Sequence, residues 1–491
     1  MTSPLPSALY SVAGVRALDA AAIASGIPGL ELMERAGRAA WAMLARRWPQ
    51  ASRVAVVCGP GNNGGDGYVV AREACRAGRE VTLLEVGDVR KSGTDALACR
   101  AAALAAGLVP ESDPERLGRA GLIVDALFGI GLRAAPTGPF AAAIEAINGA
   151  AAEVLSLDVP SGLDADTGHT PGVVVRANAT LTFIGAKRGL FTGRAPDCVG
   201  VLEFADLGVP QATFEAVMPS GDRLTLPHLR ALLAPRRRTA HKGEAGHVLV
   251  VGGSPGYVGA ARMAAEAALR TGAGLVSVAV PEAVIAGFNL GRPELMVHGV
   301  EHASGLAPLL ARASVVAIGP GLGQGPWGRA MFAGVLDSSL ALVVDADALN
   351  LLAGEPLRRA AWCLTPHPGE AARLLGQASA EINRDRFHAA RSLAARYGGT
   401  VLLKGAGTVI TEGELEDVVC AGNPGMASGG MGDVLTGVIA GLLAQGLPLP
   451  QAVRLGAVLH AAAADRAALE GGERGLLATD LFPALRRLLN E

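Results

Sequence analysis

Residues 423 to 435 read NPGMASGGMGDVL and run on as VLTGVIAGLLAQG, a segment of helical length that stops at Gly446 with Pro448 just beyond. Glycines at 425, 429, 430 and 432 are free to take positive φ angles and turn backbone N–H groups inward, which predicts a concave nest for an anion. The start of the apolar helix points its unpaired N–H groups and positive dipole end into the same hollow. Asp433 stands at the rim. As a plain N-cap it would stabilise the helix by about 1 kcal/mol. A cap needs no anion nest, however, whereas phosphoryl transfer needs both charge stabilisation and a base on the attacking hydroxyl.

Working upstream, the order of strand, glycine turn and helix recurs. HVLVVGG leads into SPGYVGA (254–260), where Ala260 permits close approach of a ligand. AIGPGLGQG (317–325) repeats the pattern, and VVDADALN (343–350) ends a strand on Asp345 and Asp347. In CLTPHPGEAARLLG (363–376), Pro366 and Pro368 hold His367 extended while Gly369 and Glu370 open a helix. No third ligand stands near His367 and Glu370, so they make no zinc triad; Glu370 suits a magnesium ion held through water. VLLKGAGTVI (401–410) sets Lys404 at a glycine-flanked strand end, fit for a nucleotide phosphate. The chain has only four lysines, and Lys187, Lys242 and Lys404 all have glycine nearby. Arg236 to Arg238 read as a solvated face.

The first half opens with helical periodicity from Arg16 to Trp48, divided at Gly26 and Pro28. A strand, RVAVVCG, opens into GPGNNGGDG (59–67), expected as a polar loop before a helix from Tyr68 to Arg76. Gly59, Gly61 and Gly64 satisfy a dinucleotide fingerprint, with Glu85 near the distance of a ribose-binding acid, yet Asn62, Asn63 and Asp66 make the loop too polar for a simple dinucleotide turn. It is equipped for a cation, a phosphate or a ribose. LIVDALFGIGL (122–132) and EVLSLDVPSGLDADTG (153–168) each close an apolar run on an acid, Asp125 and Asp158. Ligands collect at the carboxyl ends of parallel strands, which predicts that Asn63, Asp125, Asp158 and Ser161 converge; four oxygen-bearing side chains suit a hard cation. The pattern fades between about 210 and 222, the expected boundary between domains 1–218 and 222–491.

Length alone favours two to four domains in 491 residues. With 50% hydrophobic and 18% charged residues and a net charge of -2, nothing marks a nucleic-acid or membrane partner. The amino terminus lacks the pattern of a signal peptide, and the uncharged run Val434 to Val453 is broken by Gly446, Pro448 and Pro450, so a buried helix and a cytoplasmic protein are expected. Six scattered cysteines form no C-x-x-C pair and indicate neither zinc nor disulfides. A homo-oligomer is expected.

GIPGLELMERAG, GNNGGDG, VDALFGIGL and DVPSGLDADTG resemble the NAD(P)H-hydrate epimerase domain. HKG, GGSPGYVGA, GPGLG, DADALN, TPHPGE, LKGAGT and NPGMASGGMGDVLTG resemble the ADP-dependent NAD(P)H-hydrate dehydratase. The resemblance implies an α/β protein of two domains, an N-terminal Rossmann-like three-layer sandwich and a C-terminal ribokinase-like α/β domain. It implies that Asn62, Asn63, Gly64, Gly65 and Asp66, with Gly129, Ile130, Gly131, Leu132, Arg133, Ala134 and Ala135, line the first hydrate site, that Asp158 contacts it, and that Asn63, Asp125 and Ser161 hold potassium. In the second half it implies that Ala260, Gly323, His367 and Asp433 meet the hydrate, while Lys404, Gly405, Ala406, Gly407, Thr408 and Gly432 hold the adenine nucleotide, with magnesium. Met431 stands where the family usually carries a small hydroxyl residue. The expected substrates are NADH hydrate, NADPH hydrate and ADP, with proton transfer by Asp158 and base catalysis by Asp433. The alternative is a small-molecule kinase for a vitamin precursor, its first half a nucleotide-binding regulatory module.

Overall fold

The computed structural model describes residues 3–132, 134–288 and 291–491, which fold as two compact units, Met1–Arg223 and Leu224–Glu491. In the first, helices Val12–Ala24 and Gly29–Arg47 occupy the amphipathic stretch and separate at Gly26, whose φ is +102°. The sheet is built from β1 (Arg53–Cys58), β2 (Glu80–Glu85), β3 (Pro110–Glu111), β4 (Leu122–Ala126), β5 (Glu153–Leu157), β6 (Ala179–Phe183) and β7 (Val201–Ala205). All pairings are parallel, in the order β3-β2-β1-β4-β5-β6-β7. Its central strands are covered on both faces, by Met33, Ala40 and Val69 on one side and Ile144 and Ile147 on the other, so they read as unbroken apolar runs. Strand order reverses between β1 and β4. The loops after these two strands therefore share one crevice at the carboxyl edge. Gly59 N donates to Ala126 O across it at 3.1 Å.

The stretch 62–67, expected as loop, is helical: the helix runs Asn62–Arg76. Its glycines take no positive φ and serve close packing instead. A Cβ on Gly64 would stand 2.1 Å from Gly59 O, and one on Gly65 would stand 2.3 Å from Met33 Sδ. Glu85 accepts from Tyr68 Oη at 2.9 Å and from Arg100 Nε at 2.7 Å. The patternless segment near 210–222 holds helix Gln211–Glu215 and a strand whose Gly221 and Asp222 pair with Leu9 and Ala8.

The second unit contributes β8 (His247–Val251), β9 (Leu275–Val280), β10 (Met296–Gly299), β11 (Val315–Ile318), β12 (Ala341–Val344), β13 (Trp362–Leu364), β14 (Thr400–Leu403), β15 (Thr408–Thr411) and β16 (Glu416–Val419). Within this unit the order is β10-β9-β8-β11-β12-β13-β14-β15-β16, parallel through β14 and antiparallel beyond. The reversal falls between β8 and β11, which brings the turn at Gly252–Tyr257 onto the turn at Gly319–Gly325: Ser254 N donates to Gly321 O at 2.7 Å. Helices Val258–Thr271 and Met431–Ala444 run side by side in one direction, because Gly430 meets Met263, Gly437 meets Ala264 and Gly441 meets Ala268. Their N-termini reach the same edge. The run Val434 to Val453 divides between helices Met431–Ala444 and Leu449–Gly471, and among the described residues no helix is long and apolar enough to cross a membrane.

Candidate active sites

In the first unit, Asp158 follows β5 at φ +64°, a left-handed conformation costing roughly 1 kcal/mol for a residue with a Cβ. Its Oδ1 receives the ammonium of Lys187. Its Oδ2 faces Gly129, where a Cβ would stand 2.9 Å from that oxygen and 3.5 Å from Cγ of Asn63. The predicted Asn63, Gly129 and Asp158 thus meet at the crevice. Two further carboxyls face this point electrostatically. Burial, then Asp158 and Asp19, push the Asp66 carboxyl well above the usual range, and burial together with Asp158 raises Asp19 to about 6 against the opposing pull of Lys187. Burial thus favours the neutral form of Asp66 and, more weakly, of Asp19 in this cluster.

Asp125 is fully buried at the end of β4. It accepts from Ser161 Oγ at 2.6 Å, Ser156 Oγ at 2.8 Å and Ser161 N at 2.9 Å; burial still raises its pKa against these hydrogen bonds. Asn63 donates to Leu157 O at 3.1 Å, while its own buried Oδ1 has no partner. An orphaned amide oxygen at Asn63, and a set made only of oxygens at Asp125 and Ser161, fit a hard cation in their chemistry. Gly64 and Gly65 are buried in the first turn of their helix, Asn62 is exposed, and Ile130 and Leu132 are half-buried. Gly131, Ala134 and Ala135 are exposed; Arg133 lies outside the described residues.

In the second unit, the helix start quoted first begins at Met431 with Gly430 as its cap, so Asp433 is not the N-cap but a first-turn residue. Of the four glycines expected at positive φ only Gly430 has one, +92°. The others keep ordinary φ: at Gly432 a Cβ would stand 3.3 Å from Lys404 Nζ, and at Gly425 2.5 Å from Glu473 O. The Met431 side chain is buried in a cluster with Val434, Leu455 and Leu459. Lys404 Nζ donates to Asp345 Oδ1 at 2.7 Å and lies 3.8 Å from Glu370 Oε2, and Thr436 Oγ1 ties Asp345 Oδ2 to the helix at 2.9 Å. Burial acts to raise Asp345, but adjacent Lys404 holds it below the usual carboxylate range. Among the described residues, no cation lies at hydrogen-bond distance from Asp433. Burial and the nearby Asp345 charge push it up to about 7, with Lys404 opposing.

His367 caps helix Pro368–Leu375 in a reciprocal box: its Nδ1 accepts from Gly369 N at 2.9 Å while Glu370 Oε2 accepts from His367 N at 2.8 Å. Its Nε2 stands 3.5 Å from Glu370 Oε1. Gly323, at φ +75°, donates to Asp347 Oδ2 at 2.9 Å and lies against Ser254, and Ala260 sits in the first turn of its helix at the same edge. The loop Lys404–Thr408 is held from behind by Arg386. This buried guanidinium reaches Leu403 O at 3.1 Å and Lys404 O at 3.2 Å, and Gly405 takes φ +146° above it. Thr408 Oγ1 donates to Gly405 O at 3.1 Å. Lys242, by contrast, is exposed.

Residues 248–487 match the family described as NAD(P)H-hydrate dehydratase, and residues 29–189 match the YjeF-related protein N-terminus. The bifunctional NAD(P)H-hydrate repair enzyme Nnr of Coxiella burnetii is 50% identical over 98% of this chain and 99% of its own length; the same-named Escherichia coli protein is 47% identical over 95% and 90%. The chain belongs to the bifunctional NAD(P)H-hydrate repair enzymes. A ribokinase-like superfamily protein from Enterococcus faecalis, 29% identical, superposes with a TM-score of 0.51 over 54% of this chain and 94% of that protein. The fold is accordingly α/β in both units and ribokinase-like in the second. As a family, these enzymes carry out metabolite repair of hydrated nicotinamide cofactors, combining an epimerase with a dehydratase.

Within this repair enzyme, local sequence marks the acids at strand ends but not the groups that hold them. Lys187 stands out only by its glycine neighbourhood. Arg386 and Asp19 lie on helices with nothing local to mark them; each becomes legible only when the sheet brings distant segments together.

Proposed function

We propose that the first unit interconverts the R and S hydrates at carbon six of the nicotinamide ring and that the second dehydrates the S form at the expense of ADP, giving NAD(P)H, AMP and phosphate. The observation that carries the second half is the setting of Asp433: a carboxyl held near pKa 7, in the first turn of a helix, beside the Lys404–Asp345 pair. As general base, Asp433 takes the proton of the ring hydroxyl while that oxygen attacks the terminal phosphoryl of ADP. The helix N-terminus and Lys404 face the transferring charge. The ring nitrogen lone pair then expels phosphate, and loss of a proton from the adjacent carbon restores the double bond. Glu370 and Asp345 fit a magnesium ion bound mainly through water and nucleotide oxygens, which would neutralise phosphate charge. Met431 spends its side chain on the core, leaving only its N–H for the phosphates.

In the first unit, epimerisation requires hydroxide to leave carbon six with a proton and water to return on the other face. Asp158 serves as the proton-transfer group, near Asp66 and Asp19, whose carboxyls burial shifts towards the neutral form. Asn63, Asp125 and Ser161 fit potassium, which would supply a fixed positive charge at the crevice. A reduced, cytoplasmic setting is consistent with cysteines that are all free among the described residues.

The test is incubation of purified protein with mixed R and S hydrate, potassium and magnesium, with and without ADP. Complete conversion with ADP and epimer exchange without it are expected. Consumption of S alone removes the epimerase assignment. A stable phosphorylated product would instead identify a small-molecule kinase.

A further inference from the structure

We infer that Lys187 is the positioning residue of the epimerase site, anchoring one oxygen of Asp158 so that the other is presented to the hydrate. This rests on the assignment of Asp158 as the proton-transfer group. Lys187 is 1% exposed, and its ammonium reaches Asp158 Oδ1, Thr182 Oγ1 at 3.0 Å and Phe183 O at 2.8 Å. An ammonium has three donors, and all three are taken by the protein. Lys187 therefore has none left for a substrate and acts through Asp158. The backbone fixes it as well: Tyr10 pairs with Lys187 across a parallel bridge, and Asp158 N donates to Leu181 O at 2.7 Å.

The carboxylate is thereby divided in function. Oδ1 is held by the ammonium, while Oδ2 looks across Gly129 towards Asn63, the side on which the hydrate is expected. A carboxylate free to rotate would spread its two oxygens over many directions; one pinned at Oδ1 has a single productive orientation, as proton transfer demands. The left-handed backbone at Asp158 points the same way, since strain held in place by surrounding contacts is a mark of a positioned group.

The experiment follows R-to-S exchange in the full-length potassium-loaded enzyme, without ADP, for Lys187→Met, Lys187→Arg, Thr182→Val and Asp158→Asn, with thermal unfolding of each. A positioning role predicts that Lys187→Met lowers epimerase kcat about 100-fold with KM within about threefold, and that Lys187→Arg recovers about tenfold of the loss. A purely structural ion pair would lower the unfolding temperature and leave kcat of the folded fraction unchanged, which overturns the inference. If Lys187→Met does not fold, Thr182→Val removes one acceptor while keeping both charges, and is expected to lower kcat about tenfold; unchanged kcat there overturns the inference too. Full activity in Asp158→Asn would refute the parent assignment, whereas an inactive Asp158→Asn beside an active Lys187→Met would refute the role of Lys187 alone.

Discussion

Asp433 and Asp345 are two aspartates at one site with opposite settings, because Lys404 contacts only one of them at hydrogen-bond distance. A general base works as its anion, so raising Asp433 to about 7 places the loss of dehydratase activity in the physiological range: kcat/KM should fall as pH drops through about 7. A profile flat between pH 6 and 8 would rule out Asp433 as the titrating base. The same shift has a stability sign. A carboxyl whose folded pKa lies above its unfolded value favours the folded state when protonated, so this contribution is lost as pH rises through about 7. Asp433→Asn should therefore abolish dehydration, preserve epimerisation and unfold a few degrees higher than the parent at pH 8, an effect on the order of 1 kcal/mol that shrinks at pH 5. In the first unit, Asn63→Ala removes the orphaned oxygen, and the potassium concentration for half-maximal epimerisation should rise about tenfold, read from a potassium titration. Asp158 and Asn63 were legible as polar residues in glycine-rich stretches after strands, and Asp433 as an acid among glycines at a helix start. Lys187 and Arg386 were not, because their partners arrive from other strands and loops.

Glycine carries two different structural meanings, and the sequence does not tell them apart. At Gly430 the backbone requires φ +92°; at Gly437 the requirement is proximity, since a Cβ would stand 2.0 Å from Ala264 O and 2.7 Å from Ala267 Cβ. Gly437→Ala should force the two parallel helices apart, destabilise the enzyme by about 1–3 kcal/mol and reduce dehydratase kcat by displacing Asp433. Gly429→Ala, with nothing within 4 Å, should change stability by less than about 0.5 kcal/mol. Equal effects in denaturant titrations would contradict this reading. The same ambiguity explains why residues 62–67 looked like a loop: glycines that admit Gly59 O and Met33 resemble glycines that bend a chain. The parallel strands and the long amphipathic helices had no such ambiguity, since burial on both faces writes an unbroken apolar run and burial on one face writes a 3.6-residue period.

Across the whole molecule, two compact units carry two chemistries, and the predicted link between them is a diffusible epimer. An equimolar mixture of Asp158→Asn and Asp433→Asn proteins should then convert R hydrate fully to NAD(P)H, although neither variant does so alone. Failure of the mixture, with each partner keeping its single activity, would show that the epimer must be handed over within one chain. Both sheets also collect their reactive groups at the carboxyl edge of the strands, and that asymmetry has a practical side. Among the described residues, the turn at 150–152 ahead of β5, on the opposite rim, makes no hydrogen bond to a carboxylate. Such a turn is a natural place to lengthen the polypeptide, whether by a lineage-specific insertion or by an engineered peptide tag, with the proposed catalytic rims left untouched.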